Sequence, residues 1–139
     1  LLSAINHELK RPAAVSSFEH SSPTPLPHIP ATWAWSRLGE LCSKTGSGST
    51  PRGGQAAYKS AGIPFLRSQN VYDDGLRLLD VAYIDEETHA RMVGTAVLPL
   101  DLLLNITGGS IGRCCVVPNG LGEANISQHV AIIRPALTA

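Results

Sequence analysis

Between residues 98 and 135 the chain reads LPLDLLLNITGGSIGRCCVVPNGLGEANISQHVAIIRP, and this stretch constrains the fold more than any other. Apolar runs at Leu102–Leu104, around Ile111 and Cys114–Val117, and at Val130 with Ile132 and Ile133 are each short. Gly, Pro and Asn bound them, which is the pattern of strands joined by tight turns. The polar residues collect where the runs end. Asn105, Thr107, Gly108, Gly109 and Ser110 follow the first, and Asn125, Ser127, Gln128 and His129 precede the last. Amides, hydroxyls and an imidazole at strand edges suit the reading of hydrogen-bond patterns and are poor tools for breaking bonds. Asn and Gln pair bidentately with adenine edges, and Arg pairs with guanine.

The rest of the chain is read from its punctuation. Leu2, Ile5 and Leu9 fall on one face of a helix over residues 1–11, which Pro12 stops. Pro12, Pro23, Pro25, Pro27 and Pro30 mark an extended linker, so residues 1–28 are expected to be a helix plus a Pro-rich linker, with the folded domain over 29–139. Trp33–Trp35 alternates as a strand would, residues 37–42 suit a short helix or turn, and SKTGSGSTPRGG over 43–54 reads as a Gly/Ser loop. Ile63–Arg67 reads as a short strand, with Pro64 marking a sheet edge or strand start. Asp73-Asp74-Gly75 is a turn and Val81–Ile84 a strand. Asp85 is placed to cap a helix running to about Val93, with acids at the positive end of its dipole. Strands are then expected at 102–106, 111–117 and 130–133. The fold class is α+β: a strand-rich twisted sheet with a few short helices.

At 139 residues, 43% hydrophobic and 16% charged, the chain is one globular domain by size and less charged than most. Its formal net charge of zero argues against a generic polyanion binder, but the charge is unevenly spread. Over residues 36–72 five basic residues stand against one acid, and over 73–101 two stand against seven. One face is thereby suited to phosphate and another to protein or solvent. Cys42, Cys114 and Cys115 are an odd set with an adjacent pair, which is no disulfide framework and points to the cytoplasm. No apolar run approaches the ~20 residues of a membrane span.

Catalytic constellations are hard to find. TGSGSTPRGG lacks the Lys of a P-loop, and Pro51 stands where the helix of a dinucleotide site would run. The loop suits contact with a backbone phosphate through Ser47, Ser49, Thr50 and Arg52, or serves as a plain surface loop. Cys114 or Cys115 with His129 evokes a thiol nucleophile, but both cysteines sit in the apolar run CCVV, where Cys serves as a small hydrophobe. The histidines are scattered without metal-ligand spacing. A third polar string, Arg67-Ser68-Gln69-Asn70, repeats the design of the other two.

The ordered set IPATWAWSRLGELC, GSTP, GIPFLRSQNV, YIDEETHARM, LPLDLLLNITGGSIGRCCVVP and ANISQHVAIIRP, from Ile29 to Pro135, resembles the target recognition domain of the specificity subunit of type I restriction-modification enzymes. The resemblance implies a non-catalytic domain that reads one half of a bipartite double-stranded DNA target from the major groove. Partner methylation (M) and restriction (R) subunits would bring S-adenosylmethionine, ATP and Mg, with no cofactor in this chain. It also implies that the recognition domain continues past Ala139 and that residues 1–28 trail a preceding spacer helix, making this the second such domain. The residues expected at DNA are Arg67, Gln69, Asn70, Asn105, Thr107, Ser110, Arg113, Asn125, Gln128 and His129, about half of them serving as scaffold, because turn and buried Asn bond locally. The alternative is a protein-interaction module on the same fold, meeting its partner through the acidic 73–101 segment.

Overall fold

The computed structural model describes residues 26–136; the helix expected at 1–11 and most of the Pro-rich linker lie outside them. The described part falls into two units, divided after Arg37. In the first, Pro30 O accepts a hydrogen bond from Trp33 N at 2.9 Å, closing a turn, and Trp35 Nε1 donates to Pro27 O at 3.3 Å. The strand expected at 33–35 does not form: the alternation is there, but among the described residues no strand pairs with its backbone, and Trp33 is 70% exposed.

The second unit begins with a 3-10 turn at Leu38–Glu40 and continues as β1 (Cys42–Ser47), β2 (Ile63–Leu66), β3 (Val71–Tyr72), β4 (Gly75–Leu76), β5 (Ala82–Ile84), α1 (Glu86–Arg91), β6 (Leu102–Asn105), β7 (Cys114–Val116), β8 (Asn125–Ile126) and β9 (Val130–Pro135). This is a strand-rich α+β architecture, as expected. One sheet has the order β1-β9-β6-β7, with antiparallel neighbours throughout. A second has the order β5-β2-β8, in which β2 and β8 run parallel. β3 and β4 form a hairpin around the Asp73-Asp74 turn.

Several elements depart from the sequence expectation. β1 occupies the first half of the expected Gly/Ser loop. Ser, Lys and Gly have little strand propensity of their own, but β9 offers a complete partner edge, and pairing decides. Pro64 stands at the start of its strand, the second of the two alternatives, in the central strand of its sheet. It is tolerated because β8 pairs with β2 only from Phe65 onward, so one flank of Pro64 has no strand beside it. The strand expected at 111–117 shrinks to Cys114–Val116, because residues 107–113 fold into turns with Gly108 and Gly112 at φ of 82° and 92°.

The main core lies under the larger sheet: Leu66, Val71, Val97, Leu103, Cys115, Val117, Ala124, Ile126, Val130 and Ile132. Alternation places Val130 and Ile132 of β9 inward, as period-2 side-chain geometry requires. Phe65, Ala82, Ile84 and Met92 form a second cluster beneath α1. Asp85 caps α1 as expected, accepting from Thr88 N at 2.9 Å. Asp101 is fully buried and pairs bidentately with Arg134, at 2.7 and 2.8 Å, tying the end of β9 to the turn that starts β6.

Candidate nucleic-acid interface

The C-terminal ends of β1 and β6 and the N-terminal end of β9 meet at one end of the larger sheet, because Ser47 pairs with Ala131 and Asn105 with Val130. β8, in the other sheet, reaches β9 through a tight turn in which Val130 N donates to Ser127 O at 3.0 Å. Gln128 and His129 are the central residues of that turn, and both are exposed. The turn is clamped from two sides. Val130 O accepts from Gly48 N at 2.9 Å, and His129 O accepts from Ile106 N at 3.0 Å.

Four exposed side chains are joined across this edge. Thr50 Oγ1 donates to Gln128 Oε1 at 2.6 Å, Gln128 Nε2 lies 3.4 Å from His129 Nε2, and His129 Nδ1 lies 2.7 Å from Thr107 Oγ1. With the amide N–H of Gln128 donating to Nε2, the ring proton is on Nδ1 and is donated to Thr107. Each bond fixes an orientation and leaves capacity. Gln128 keeps one carbonyl lone pair and one amide N–H, and the Thr107 hydroxyl keeps its proton. An amide held this way still presents the adjacent donor and acceptor that pair with adenine N7 and N6.

The three asparagines expected at DNA sit elsewhere. Asn70, Asn105 and Asn125 are at most 2% exposed, and their amides serve the interior. Asn70 accepts from Arg67 N at 2.9 Å and donates to Arg77 O at 2.8 Å, bracing the β3–β4 hairpin. Asn105 donates to Ser68 O and to Ser110 Oγ, at 2.9 and 3.0 Å, so Ser110 belongs to the same brace. Asn125 donates to Met92 O at 2.8 Å and Thr95 Oγ1 at 3.1 Å, and its carbonyl oxygen meets His89 Nδ1. These asparagines fall in the half of the set expected to serve as scaffold: a polar residue at a strand end can equally point inward, where unbonded backbone groups need it.

Arg67 and Arg113 are half-buried. Arg67 donates to Asp80 O at 3.1 Å and lies 5.5 Å from the centre of the Tyr58 ring. Arg113 stacks on Tyr72 at 4.4 Å, with Arg77 also against that ring at 5.1 Å. Gln69 is exposed on the rim of a 570 Å³ cavity that Tyr72, Leu76 and Leu79 also line. Thus Thr107, Gln128 and His129 come together, Gln69 and Arg113 lie toward the hairpin, Thr50 of the loop read as suited to phosphate joins the edge, and Gly48 is an addition. Gly48 allows β1 to cross the backbone of Ile126 and Ser127, since a Cβ there would lie 2.1 Å from Ile126 O. A Gly flanked by hydroxyl residues in GSGST was the available signal, but its partner is 78 residues away.

Burial pushes the Cys114 and Cys115 thiols up, with Asp73 adding to the effect, which is the reverse of what a nucleophilic cysteine needs. Among the described residues no group of three or more His, Cys, Asp or Glu side chains gathers as a metal site. Among them, too, no helix is long and apolar enough to cross a membrane.

No family model matches the chain, and no curated protein matches its sequence. Solved structures do match. The crystal structure of the HsdS subunit from Thermoanaerobacter tengcongensis superposes with a TM-score of 0.57 at 22% identity, covering 81% of this chain and 26% of that one. The chain has the fold of part of an HsdS subunit. A second structure, described as showing complex assembly and conformational transition of the type I R-M system, matches with a TM-score of 0.54 at 23% identity over the same shares of the two chains. The HsdS-like fold is the one that the ordered motifs implied, and the chain spans about a quarter of the length of these solved chains.

Proposed function

We propose that this domain reads part of a double-stranded DNA target for a type I restriction-modification complex. The observation that carries the reading is the exposed Thr50–Gln128–His129–Thr107 edge on an HsdS-like fold. Its polar groups are oriented from within and keep free valences outward, the condition for direct readout in the major groove. The target is one half of a bipartite site. The domain itself is non-catalytic; the methylation subunits supply S-adenosylmethionine-dependent adenine methylation, and the restriction subunits supply ATP- and Mg-dependent cleavage. The complex acts in the cytoplasm, where its DNA is.

Leu79, 90% exposed beside Leu78, favours a second reading in which the 73–101 segment docks a protein. The two readings separate on one variant. Gln128→Ala removes an exposed amide that holds no core, so in the intact subunit with its methylation partner it is expected to alter the methylated motif at one base pair without lowering Tm. One lost base contact costs about 1–3 kcal/mol, roughly 5- to 150-fold in discrimination. An unchanged motif, with methylation intact, would remove Gln128 from the DNA interface and shift the weight to docking.

A further inference from the structure

Beside the Thr50 end of the exposed edge lies a cavity of 410 Å³, lined by Thr50, Pro51, Arg52, Thr88, Arg91 and Met92. It joins two segments distant in sequence, the loop after β1 and the last turn of α1. Both are fixed to β8, the strand that delivers Gln128 and His129. Ser49 N donates to Ile126 O at 3.2 Å, and Pro51 is buried. On the other side, Asn125 of β8 donates to Met92 O at 2.8 Å, which sets the C-terminal end of α1. The two backbone segments that carry Arg52 and Arg91 are therefore fixed relative to the base-reading turn.

Their chemistry differs. Arg52 is exposed and makes no hydrogen bond or ion pair with any described residue. Arg91 is held: Nη1 pairs with the exposed Glu87, and Nη2 donates to Thr88 Oγ1 at 3.2 Å. The other charged groups nearby, Lys59 and Asp85, pair with each other at 3.4 Å. One cavity is thus lined by an exposed guanidinium with no bond to any described residue and by a second one held through Glu87 and Thr88. An anion that two guanidiniums lining one cavity can share is a phosphate.

Resting on the DNA-reading function proposed above, we infer that this cavity seats one backbone phosphate of the bound duplex, with Arg52 as its main ligand and Arg91 as the second. The seat fixes the register of Gln128 and His129 on the base pairs and carries no sequence information itself. Glu87 competes with the phosphate for Arg91, so the bare cavity carries the net charge of Arg52 alone.

The test is the salt dependence of binding of a duplex carrying the methylated motif by the intact subunit with its methylation partner, from 50 to 200 mM KCl. Removing one phosphate contact lowers the slope of log K against log [salt] by about 0.9. Arg52→Ala is expected to lose that much slope, making the affinity about threefold less sensitive over this range, while the methylated motif stays the same. Glu87→Gln is expected to tighten binding, again with the motif unchanged. Arg52 is exposed and unpartnered, so its removal leaves Tm where it was. Specific binding with an unaltered slope in Arg52→Ala overturns the phosphate seat alone, as does a changed motif, which would make Arg52 a base reader. A wild-type complex with no specific duplex binding overturns the parent function and the seat with it.

Discussion

Gly48→Ala is the substitution for which the structure gives the sharpest number. A Cβ at this position lies 2.1 Å from Ile126 O, and 2.5 Å from both Ile126 C and Ser127 O, whereas real contacts stay above 3.0 Å. The loop must retreat from β8 by about 0.9 Å to relieve the first overlap alone. That movement stretches Ser49 N to Ile126 O from 3.2 Å beyond hydrogen-bonding distance and disturbs the 2.9 Å bond from Gly48 N to Val130 O of β9. Two backbone bonds, one lost and one weakened, at up to about 1 kcal/mol each, plus the loosened packing of Ile126, give a loss of about 2–4 kcal/mol. For a domain of this size that is roughly 10–15 °C in Tm, read by circular dichroism or as a fall in the urea midpoint at constant m. Gly46→Ala is the matched control: it lies two residues earlier, within β1, and nothing stands within 4 Å of its added Cβ. It is expected to stay within about 0.5 kcal/mol of the parent or to gain slightly. If Gly48→Ala melts with the parent, the close crossing of β1 over the β8–β9 connection is wrong.

Arg134→Leu strips the fully buried Asp101 carboxylate of its two guanidinium bonds, leaving the 2.7 Å bond from Leu98 N, and is expected to cost about 3–5 kcal/mol in urea unfolding. Arg134→Leu combined with Asp101→Asn should cost less than Arg134→Leu alone; a larger cost would deny that the stranded charge is the cause. Leu100 stands at φ 68° in the turn Leu98–Asp101 with its side chain 58% exposed, so Leu100→Gly is expected to raise stability by about 0.5–1 kcal/mol, checked by thermal melting. Hydrogen bonds from the Thr88 side chain and backbone N–H hold the Asp85 carboxyl down to about 2. Its ionised cap therefore stabilises the fold fully above the ordinary aspartate range, and the contribution fades as pH falls through about 2. Asp85→Asn should flatten this acid limb of the stability profile, and an identical limb in both proteins would contradict the assignment.

What the sequence reveals follows the range of the forces involved. α1 is local chemistry, so Asp85, Glu86 and Glu87 announce its start and the structure agrees. β6 and β9 are apolar enough to declare themselves. β1 is not, because CSKTGS becomes a strand only through the edge that β9 offers it. Trp33–Trp35 shows the converse, strand-like alternation with no strand paired to it among the described residues. The same limit governs the site. Thr107, Gln128 and His129 are readable as exposed polar groups at strand ends, yet Asn105 and Asn125 carry the same local signal and turn inward to close backbone groups from other segments. Thr50 joins the edge only because Gly48 lets its loop cross β8, a contact that no local window contains.

The most direct measurement is genome-wide adenine methylation in a host carrying the intact subunit with its methylation partner, before and after residues 29–139 are exchanged for a related domain. Target recognition by these residues predicts methylation at one bipartite motif, with one half-site changed by the exchange and the other kept. A motif indifferent to the exchange would contradict DNA reading by this domain.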